Sequence, residues 1–407
     1  MKFVHTADVH IGMENYGKID PKTGIHTRLL DFEKALNFCI DFAINDQVDF
    51  FVLAGDAYKT ANPSPTHQKI LTRCLLRLYK EKIPVVIVVG NHDNPLSFGK
   101  TNALDIFNDF PVDGFHVFSK PEILKLETKN GPIQVVGIPW PTRNNITLSG
   151  AYLLKSATEI TEKISSTIAQ LIQKFANELD PTIPSILTGH LTVSSGIFSG
   201  SEKRAVYGTD PILMPSQLAI KPFDYVALGH LHRYQDLNKN GYPSIVYAGS
   251  VERIDFGERK EPKGFCLVEI DKPGSTKHKF IEGPSRPFIQ IDTHLHTEEN
   301  QTEKIMADLK AHNLEGAIVK IVYYLSESIS DNVNLREVQR ACSNAMDLIG
   351  IIPVRKFGER QIRAATKVEM DLPQLLSNYF DSKEQLKKKK EHLINKILDI
   401  KNRVNLS

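Results

Sequence analysis

The residues best suited to chemistry in this chain are aspartates, histidines and one asparagine that follow short apolar runs. Each run has the composition of a buried β-strand, and five of them end in polar side chains. Asp, Asn and His offer oxygen and nitrogen donors without a thiolate, so the set suits divalent ions such as Mn, Fe or Zn. The side chains at the five ends are Asp8 and His10, Asp56, Asn91 and His92, His190, and His230 and His232.

A single strand end of this kind does not distinguish a turn from a ligand site, as residues 83–95 illustrate. A buried strand over 85–89 leads into Gly90, Asn91, His92 and Asp93. These residue types also form turns, and Pro95 follows them. Recurrence at five strand ends favours a site, because neighbouring strand ends lie side by side at one edge of a sheet.

Glycine is a second recurring feature of these ends. It directly precedes the first polar residue at Gly55, Gly90, Gly189 and Gly229. Glycine permits sharp turns and close approach of the backbone to a ligand. The spacing therefore predicts tight strand-end turns that aim side chains into a shared site.

The elements that must position these residues alternate strands with helices. Helical spacing over 28–45 and 65–81 separates the first three strands, a βαβαβ order that predicts a sheet covered by helices. After a helix ending near 179, short strands recur to residue 270. A small α/β unit follows Gly283, with a last helix over 334–348, and a charged helical tail begins near 372.

Composition is that of an ordinary globular protein. The chain has 407 residues, 41% hydrophobic content and a formal net charge of +2, so any nucleic-acid surface must be local. No apolar run approaches the roughly 20 residues that span a bilayer, and MKFVHTADVH is not typical of a signal peptide. Four isolated cysteines in apolar patterns predict buried thiols in a cytoplasmic protein.

The order Asp-x-His, Gly-Asp, Gly-Asn-His-Asp, Gly-His and Gly-His-x-His resembles the calcineurin-like metallophosphoesterases. Within them, HTADVHIG, GIPW and GSVERIDFGERKEPKGF look like the SbcD-type nuclease subunits. The resemblance implies an α/β fold, a four-layer sandwich of two sheets flanked by helices. It also implies a nuclease domain over 1–284, a small α/β capping domain over 285–370 and a helical tail over 371–407.

The same resemblance implies a site with two divalent ions, most simply Mn²⁺. Asp8, His10 and His232 would hold one ion, and Asp56 would bridge both. His92 would serve as general acid or charge stabiliser, while Asp93 is expected to be structural. Asn91, His190 and His230 would hold the second ion.

One position departs from the family pattern. Related enzymes carry a His or Asp three residues after the bridging Asp, where it orients the catalytic histidine; here the residue is Lys59. A charged lysine cannot accept a hydrogen bond, so what holds His92 is left open. Lys59 is instead a candidate contact to phosphate or nucleic acid, and Arg143, Lys203, Arg204, Arg253 and Arg259 are candidate phosphate contacts. The alternative for each of these cations is a solvated side chain without a partner.

By resemblance the chain would be a nuclease that trims DNA ends 3′ to 5′ and nicks hairpins or single strands. A helical stripe in the tail, from Leu386 to Val404, would dock on an SbcC-type SMC-like ATPase, or pack on its own domain. A homodimer within a heterotetramer is implied by analogy. The alternatives are a phosphatase or phosphodiesterase acting on another substrate, and a structural repair subunit with weak catalysis.

Overall fold

The computed structural model describes residues 1–95, 100–109, 114–142, 156–200, 210–326, 329–356, 372–381 and 390–404. The chain forms two compact units. One comprises Met1–Gln290, Asn313–Lys320 and Cys342–Ile349, and the other Ile291–His312, Ile321–Ala341 and Gly350–Ser407. The domain limits expected after residues 284 and 370 stay predictions.

Two six-stranded sheets form the body of the first unit. In sheet order, the first consists of β14 (Ser275–Glu282), β13 (Gly264–Lys272), β1 (Lys2–Thr6), β2 (Phe50–Leu53), β3 (Val85–Val88) and β4 (Phe115–Phe118). The second consists of β11 (Gln235–Asp236), β12 (Ser244–Tyr247), β10 (Tyr225–Gly229), β7 (Ser185–His190), β6 (Gly131–Ile138) and β5 (Glu122–Thr128). A short pair, β8 (Thr192–Val193) and β9 (Ile212–Leu213), lies apart from them.

Parallel pairing determines where the strand ends meet. β1, β2, β3 and β4 run parallel, and so do β6, β7, β10 and β12. Side chains on the inner faces of the two sheets, among them Phe3, Val86, Ile186 and Ala227, share one fully buried core. The carboxyl ends of the parallel strands can therefore contribute to a single site.

Helices cover both outer faces. They are α1 (Thr27–Asn45), α2 (Pro65–Lys80), the short α3 (Ile106–Asp109) and α4 (Ala157–Glu178). α2 starts at an N-cap serine, Ser64, followed by a proline, and α4 starts at a capping box of Ser156 and Glu159, so local sequence fixes both starts. Apolar residues of α1 and α2 pack on the first sheet, and those of α4 on the second. The predicted four-layer sandwich is thus confirmed.

The C-terminal part contains a third sheet, ordered β15 (Phe288–Leu295), β16 (Ile318–Ser326) and β17 (Asp347–Lys356). Its helices are α5 (Gln301–Lys310), α6 (Leu335–Ala341), α7 (Leu372–Asp381) and α8 (Lys390–Val404). The prediction of a helix over 334–348 was wrong at its C-terminal end, because α6 ends at Ala341 and a segment rich in β-branched residues, Asp347–Lys356, forms β17. Leu386, in the expected tail stripe, lies outside the described residues.

All four cysteines are buried and free, as expected. None of the helices in the described ranges combines the length and the apolar composition that crossing a bilayer requires.

Candidate metal centre

The candidate side chains converge at the carboxyl ends of strands from both sheets. The loop after β1 is tied to the loop after β2, since the Asp8 and His10 amides donate to the carbonyls of Gly55 and Asp56 at 3.0 and 2.9 Å. In the second sheet, His190 at the end of β7 pairs with Gly229 at the end of β10, so His190 and His230 lie at neighbouring strand ends. Five strand ends thereby meet at one place, as the sequence predicts.

Left-handed backbone conformations concentrate here. Asp8, His10, Asp56 and His230 have φ values of 52°, 49°, 52° and 104°. Residues other than glycine adopt positive φ at an energetic cost, and such strain clusters at functional sites. The residues whose side chains are suited to chemistry therefore form the sharp backbone turns themselves.

The glycines that precede the strand-end residues contribute through backbone conformation and through small size. Of the four preceding glycines, only Gly55 has a positive φ, +95°. A Cβ on Gly90 would lie 2.1 Å from Asp56 Oδ1, and one on Gly229 would lie 1.9 Å from the Ala54 carbonyl oxygen. At these two positions the lack of a side chain allows close packing, whereas at Gly55 glycine also permits the positive φ.

A first cluster contains Asp8, His10 and His232. One ligand atom from each lies within 4.8 Å of the others, and all three residues are buried. The Nε2 atoms of His10 and His232 are 3.2 Å apart. The His230 amide donates to both Asp8 oxygens at 3.0 and 3.1 Å, which fixes that carboxylate.

A second cluster contains Asn91, His190 and His230. Asn91 Oδ1 lies 2.9 Å from His190 Nε2 and 3.3 Å from His230 Nδ1. Asp56 lies between the two clusters. Its Oδ2 atom is 3.6 Å from His10 Nε2 and 3.4 Å from His190 Nε2.

The hydrogen bonds behind the rings indicate which nitrogen faces the site. His190 Nδ1 donates to the Ala54 carbonyl at 2.9 Å, and His232 Nδ1 donates to Glu258 at 2.8 Å. In neutral rings the Nε2 atoms then carry lone pairs. The His190 lone pair would then face Asn91 Oδ1 at 2.9 Å, and a cation between these two acceptors would remove their repulsion.

The charges support the same conclusion. Burial lowers the pKa of His190, but Asp56 outweighs it and raises the pKa to about 9, so the site holds a proton when no other cation is present. Burial raises the pKa of Asp8 to about 6. The pKa of Asp56 stays well below its usual range, because its histidine neighbours, His190 foremost, outweigh burial.

Two buried ring nitrogens, His10 Nδ1 and His230 Nε2, have no hydrogen-bond partner among the residues that the structure describes. The oxygen of Asp210 nearest to His230 Nε2 is 3.5 Å away, too far for a good hydrogen bond. These two nitrogens are on the side of each ring away from its cluster contacts, because His10 Nε2 lies 3.2 Å from His232 Nε2 and His230 Nδ1 lies 3.3 Å from Asn91 Oδ1. Nε2 of His10 and Nδ1 of His230 are therefore the donor atoms available to divalent ions.

His92 differs from the ligand candidates in exposure. Its side chain is 34% exposed, against 0% for His190 and 1% for His10. Its Nδ1 donates to the Lys59 carbonyl at 3.0 Å, and its amide donates to Asp56 Oδ1 at 2.9 Å. A ligand atom of His92 also falls within 4.8 Å of those of His10 and Asp56.

Comparison with known proteins identifies the family. The sequence model described as calcineurin-like phosphoesterase matches residues 1–234 of this chain. The chain belongs to the calcineurin-like phosphoesterase family. The prediction of a phosphodiester hydrolase is thereby confirmed, and family and clusters together indicate a dinuclear divalent metal site.

Two curated relatives of this phosphoesterase are both named as a subunit of the nuclease SbcCD. The protein from Staphylococcus epidermidis is 28% identical over 296 residues, which cover 72% of this chain and 71% of the relative. The one from Staphylococcus saprophyticus is 27% identical over 341 residues, covering 83% and 82%.

Two solved structures are also similar. A dimetal phosphatase from Danio rerio has a TM-score of 0.39 and 12% identity, covering 68% of this chain and 98% of that one. The protein TT1561 of Thermus thermophilus has a TM-score of 0.34 and 14% identity, covering 61% and 89%.

Asp93 of the phosphoesterase has structural contacts. Its carboxylate accepts from the amides of Gly90, Ala57 and Tyr58 at 3.0, 3.2 and 2.9 Å, and it is 1% exposed. It thus ties the loop after β3 to the loop after β2. These contacts match the structural role expected from the sequence.

The structure describes three of the six candidate phosphate contacts, and their surroundings differ. Lys59 is half-buried and close enough to lower the pKa of His92, after burial and against the opposing effect of Asp56. Arg253 donates to Ser285 Oγ and to the carbonyls of Arg286 and Glu261, at 2.6 to 2.9 Å. These contacts argue against its predicted phosphate role.

The remaining candidates are Arg259, which donates to the Phe256 carbonyl at 3.0 Å, and three residues that lie outside the described ranges. Those three are Arg143, Lys203 and Arg204.

Sequence reasoning missed three residues beside the centre. Glu258 contacts His232, Asp210 lies near His230, and the Trp140 ring centroid is 4.8 Å from that of His230 and 6.0 Å from that of His190. The stretches containing Trp140 and Glu258 had served only to recognise the family. Their separation from the histidines along the chain gave no signal of contact.

Proposed function

We propose that this phosphoesterase is a metal-dependent DNA nuclease, a 3′ to 5′ exonuclease and hairpin or single-strand endonuclease acting in double-strand break repair. The observation that carries the proposal is Asp56 Oδ2, 3.4 to 3.6 Å from a histidine of each cluster. A carboxylate so placed can bridge two ions. The relatives named as nuclease subunits supply the substrate class.

In this proposal Asp8, His10 and His232 bind one ion and Asp56 binds both. Asn91, His190 and His230 bind the second. The donors are nitrogen and oxygen only, which suits Mn²⁺. A pair of divalent ions held there would polarise a phosphoryl oxygen and activate water for in-line displacement at phosphorus.

His92 is the proposed proton donor or charge stabiliser. With Nδ1 engaged by the Lys59 carbonyl, Nε2 is the atom left to hold or release a proton. A partly exposed ring can reach a phosphodiester while the buried ligands cannot. Lys59 is the phosphate contact that the described residues support best.

The partners follow from the same resemblance. The unit over 285–370 would act as a capping domain that selects DNA. The tail over 371–407, which includes α7 and α8, would bind an SbcC-type SMC-like ATPase. The proposed assembly is a cytoplasmic heterotetramer built on a homodimer.

A cleavage assay tests the proposal. Blunt duplex and hairpin DNA would be incubated with the protein and Mn²⁺, with and without the ATPase partner, and the His92→Ala variant would exclude contaminating nucleases. We expect Mn²⁺-dependent cleavage that His92→Ala loses. Faster turnover of p-nitrophenyl phosphate or cyclic nucleotides than of DNA would contradict the nuclease and favour another phosphoesterase. Metal binding without any turnover would favour a structural subunit.

A further inference from the structure

A buried ion pair stands directly behind His232. Glu258 and Lys263 have fully buried side chains, and Lys263 Nζ lies 2.8 Å from Glu258 Oε2. The other carboxylate oxygen, Oε1, accepts from His232 Nδ1 at 2.8 Å. One carboxylate therefore connects a buried ammonium to a candidate metal ligand.

The pair holds His232 by both its ring and its main chain. Lys263 Nζ donates to the His232 carbonyl at 2.8 Å and to Ser250 Oγ at 2.9 Å. The amide of Ile254 donates to Glu258 Oε2 at 3.0 Å. The ring orientation and the backbone position of His232 thus depend on the same two side chains.

Among the described contacts, no carboxylate accepts from Nδ1 of His190 or of His92. His190 and His92 donate from Nδ1 to neutral main-chain carbonyls, of Ala54 and Lys59. A hydrogen bond to an ionised carboxylate is stronger and makes the imidazole a better electron donor. The 2.8 Å contact between Glu258 Oε2 and Lys263 Nζ pairs this carboxylate with a buried ammonium.

We infer that Glu258, held by Lys263, is a positioning residue that presents His232 Nε2 to the ion of the Asp8–His10–His232 cluster and sets that ion's affinity. The inference rests on the ligand assignment in the proposed function. It adds that the two ions are held unequally, because the described carboxylate nearest to a back nitrogen in the second cluster, Asp210, is 3.5 Å from His230 Nε2, against 2.8 Å between Glu258 and His232 Nδ1.

Three variants test it. Glu258→Gln keeps an acceptor for His232 and removes the charge. Glu258→Gln combined with Lys263→Gln also avoids leaving a buried ammonium unpaired. Glu261→Gln is the matched control, since Glu261 lies 3.7 Å from the same Lys263 but accepts no described hydrogen bond from His232.

The measurement is calorimetric titration of the metal-free full chain with Mn²⁺, with metal content per chain as a check. We expect both Glu258 variants to bind one ion about 10- to 100-fold more weakly, as loss of an orienting partner does elsewhere. The second ion and the Glu261→Gln control should match wild type. Equal affinities in all variants, or equal weakening of both ions, would overturn the inference.

The single tryptophan assigns the affected ion. Trp140 lies beside His190 and His230, so Co²⁺ quenching of its fluorescence reports mainly on the second cluster. That quenching should be unchanged in the Glu258 variants. Raised Mn²⁺ should also restore their cleavage rate, whereas a misfolded fraction would stay inactive at any Mn²⁺ concentration.

The outcomes separate the two proposals. If the wild type binds two ions but does not cleave DNA, the nuclease proposal fails, and the titrations still test whether Glu258 sets the affinity of one ion. If wild type binds fewer than two ions, both proposals fail.

Discussion

The Nδ1 atom of His92 lies 3.0 Å from the main-chain carbonyl oxygen of Lys59. The position that in related enzymes carries an orienting side chain here supplies a backbone acceptor. The identity of the side chain at position 59 therefore need not affect how His92 is held.

Lys59→Ala should consequently leave His92 in place. We expect kcat on DNA to change little and KM to rise several-fold at low salt, because the cation proposed to contact phosphate is removed. Steady-state kinetics at two salt concentrations would measure this, with the exposed Lys80→Ala as control. A fall in kcat as large as that of His92→Ala would mean that the lysine side chain orients or assists the histidine.

His92→Ala should abolish cleavage, by about 10²- to 10⁴-fold, yet leave two ions bound. The reason is its partial exposure and its engagement with a carbonyl instead of a ligand cluster. Metal content after dialysis is the measurement, with exposed His312→Ala as control. Loss of one ion would reassign His92 as a ligand, which its distance from His10 and Asp56 permits.

Asp56→Ala should lose both ions, since its Oδ2 atom lies against histidines of both clusters. Calorimetric titration with Mn²⁺ would check the stoichiometry, and the exposed Asp41→Ala is a suitable control. Retention of both ions would refute the bridging role.

Gly90→Ala should also impair metal binding. The added Cβ would lie 2.1 Å from Asp56 Oδ1 and must displace that carboxylate or the loop after β3. At Gly283 the nearest atoms to an added Cβ are 3.5 Å away or more, so Gly283→Ala is a control of identical chemistry. Unchanged Mn²⁺ affinity in Gly90→Ala would show that the loop absorbs the methyl group.

The metal-free protein should lose stability as pH rises from 7 to 9. The pKa of His190 is raised to about 9 in the fold, so the folded state binds a proton that the unfolded chain has already released. The stabilisation is complete below about pH 6.5 and disappears above 9, at up to about 1.4 kcal/mol per pH unit. Urea unfolding in chelator at several pH values would measure the slope.

His190→Gln should flatten that slope, and saturating Mn²⁺ should remove it by replacing the proton. A metal-free protein whose unfolding free energy is constant between pH 7 and 9 would mean that His190 is neutral in the fold.

Local pattern predicted most elements around the site. α2 and α4 begin directly after capping residues, and a run of β-branched residues forms β3. Interactions between neighbours along the chain are therefore enough to predict these elements. The failure at β17 has an equally local cause: helical spacing up to Leu348 was extended past the end of α6, while the following residues favour a strand. β14, whose alternation is weak and half-exposed, was not anticipated.

The sequence by itself determined the donor types, their placement at five strand ends and the family. These follow from composition, period and motif order, which are properties of neighbours along the chain. Only the tertiary structure decided that Asp56 lies between two histidine clusters, that a backbone carbonyl holds His92, and that Glu258 supports His232. Those contacts join residues from different strands and loops, and their geometry depends on how two sheets pack, which no local pattern specifies.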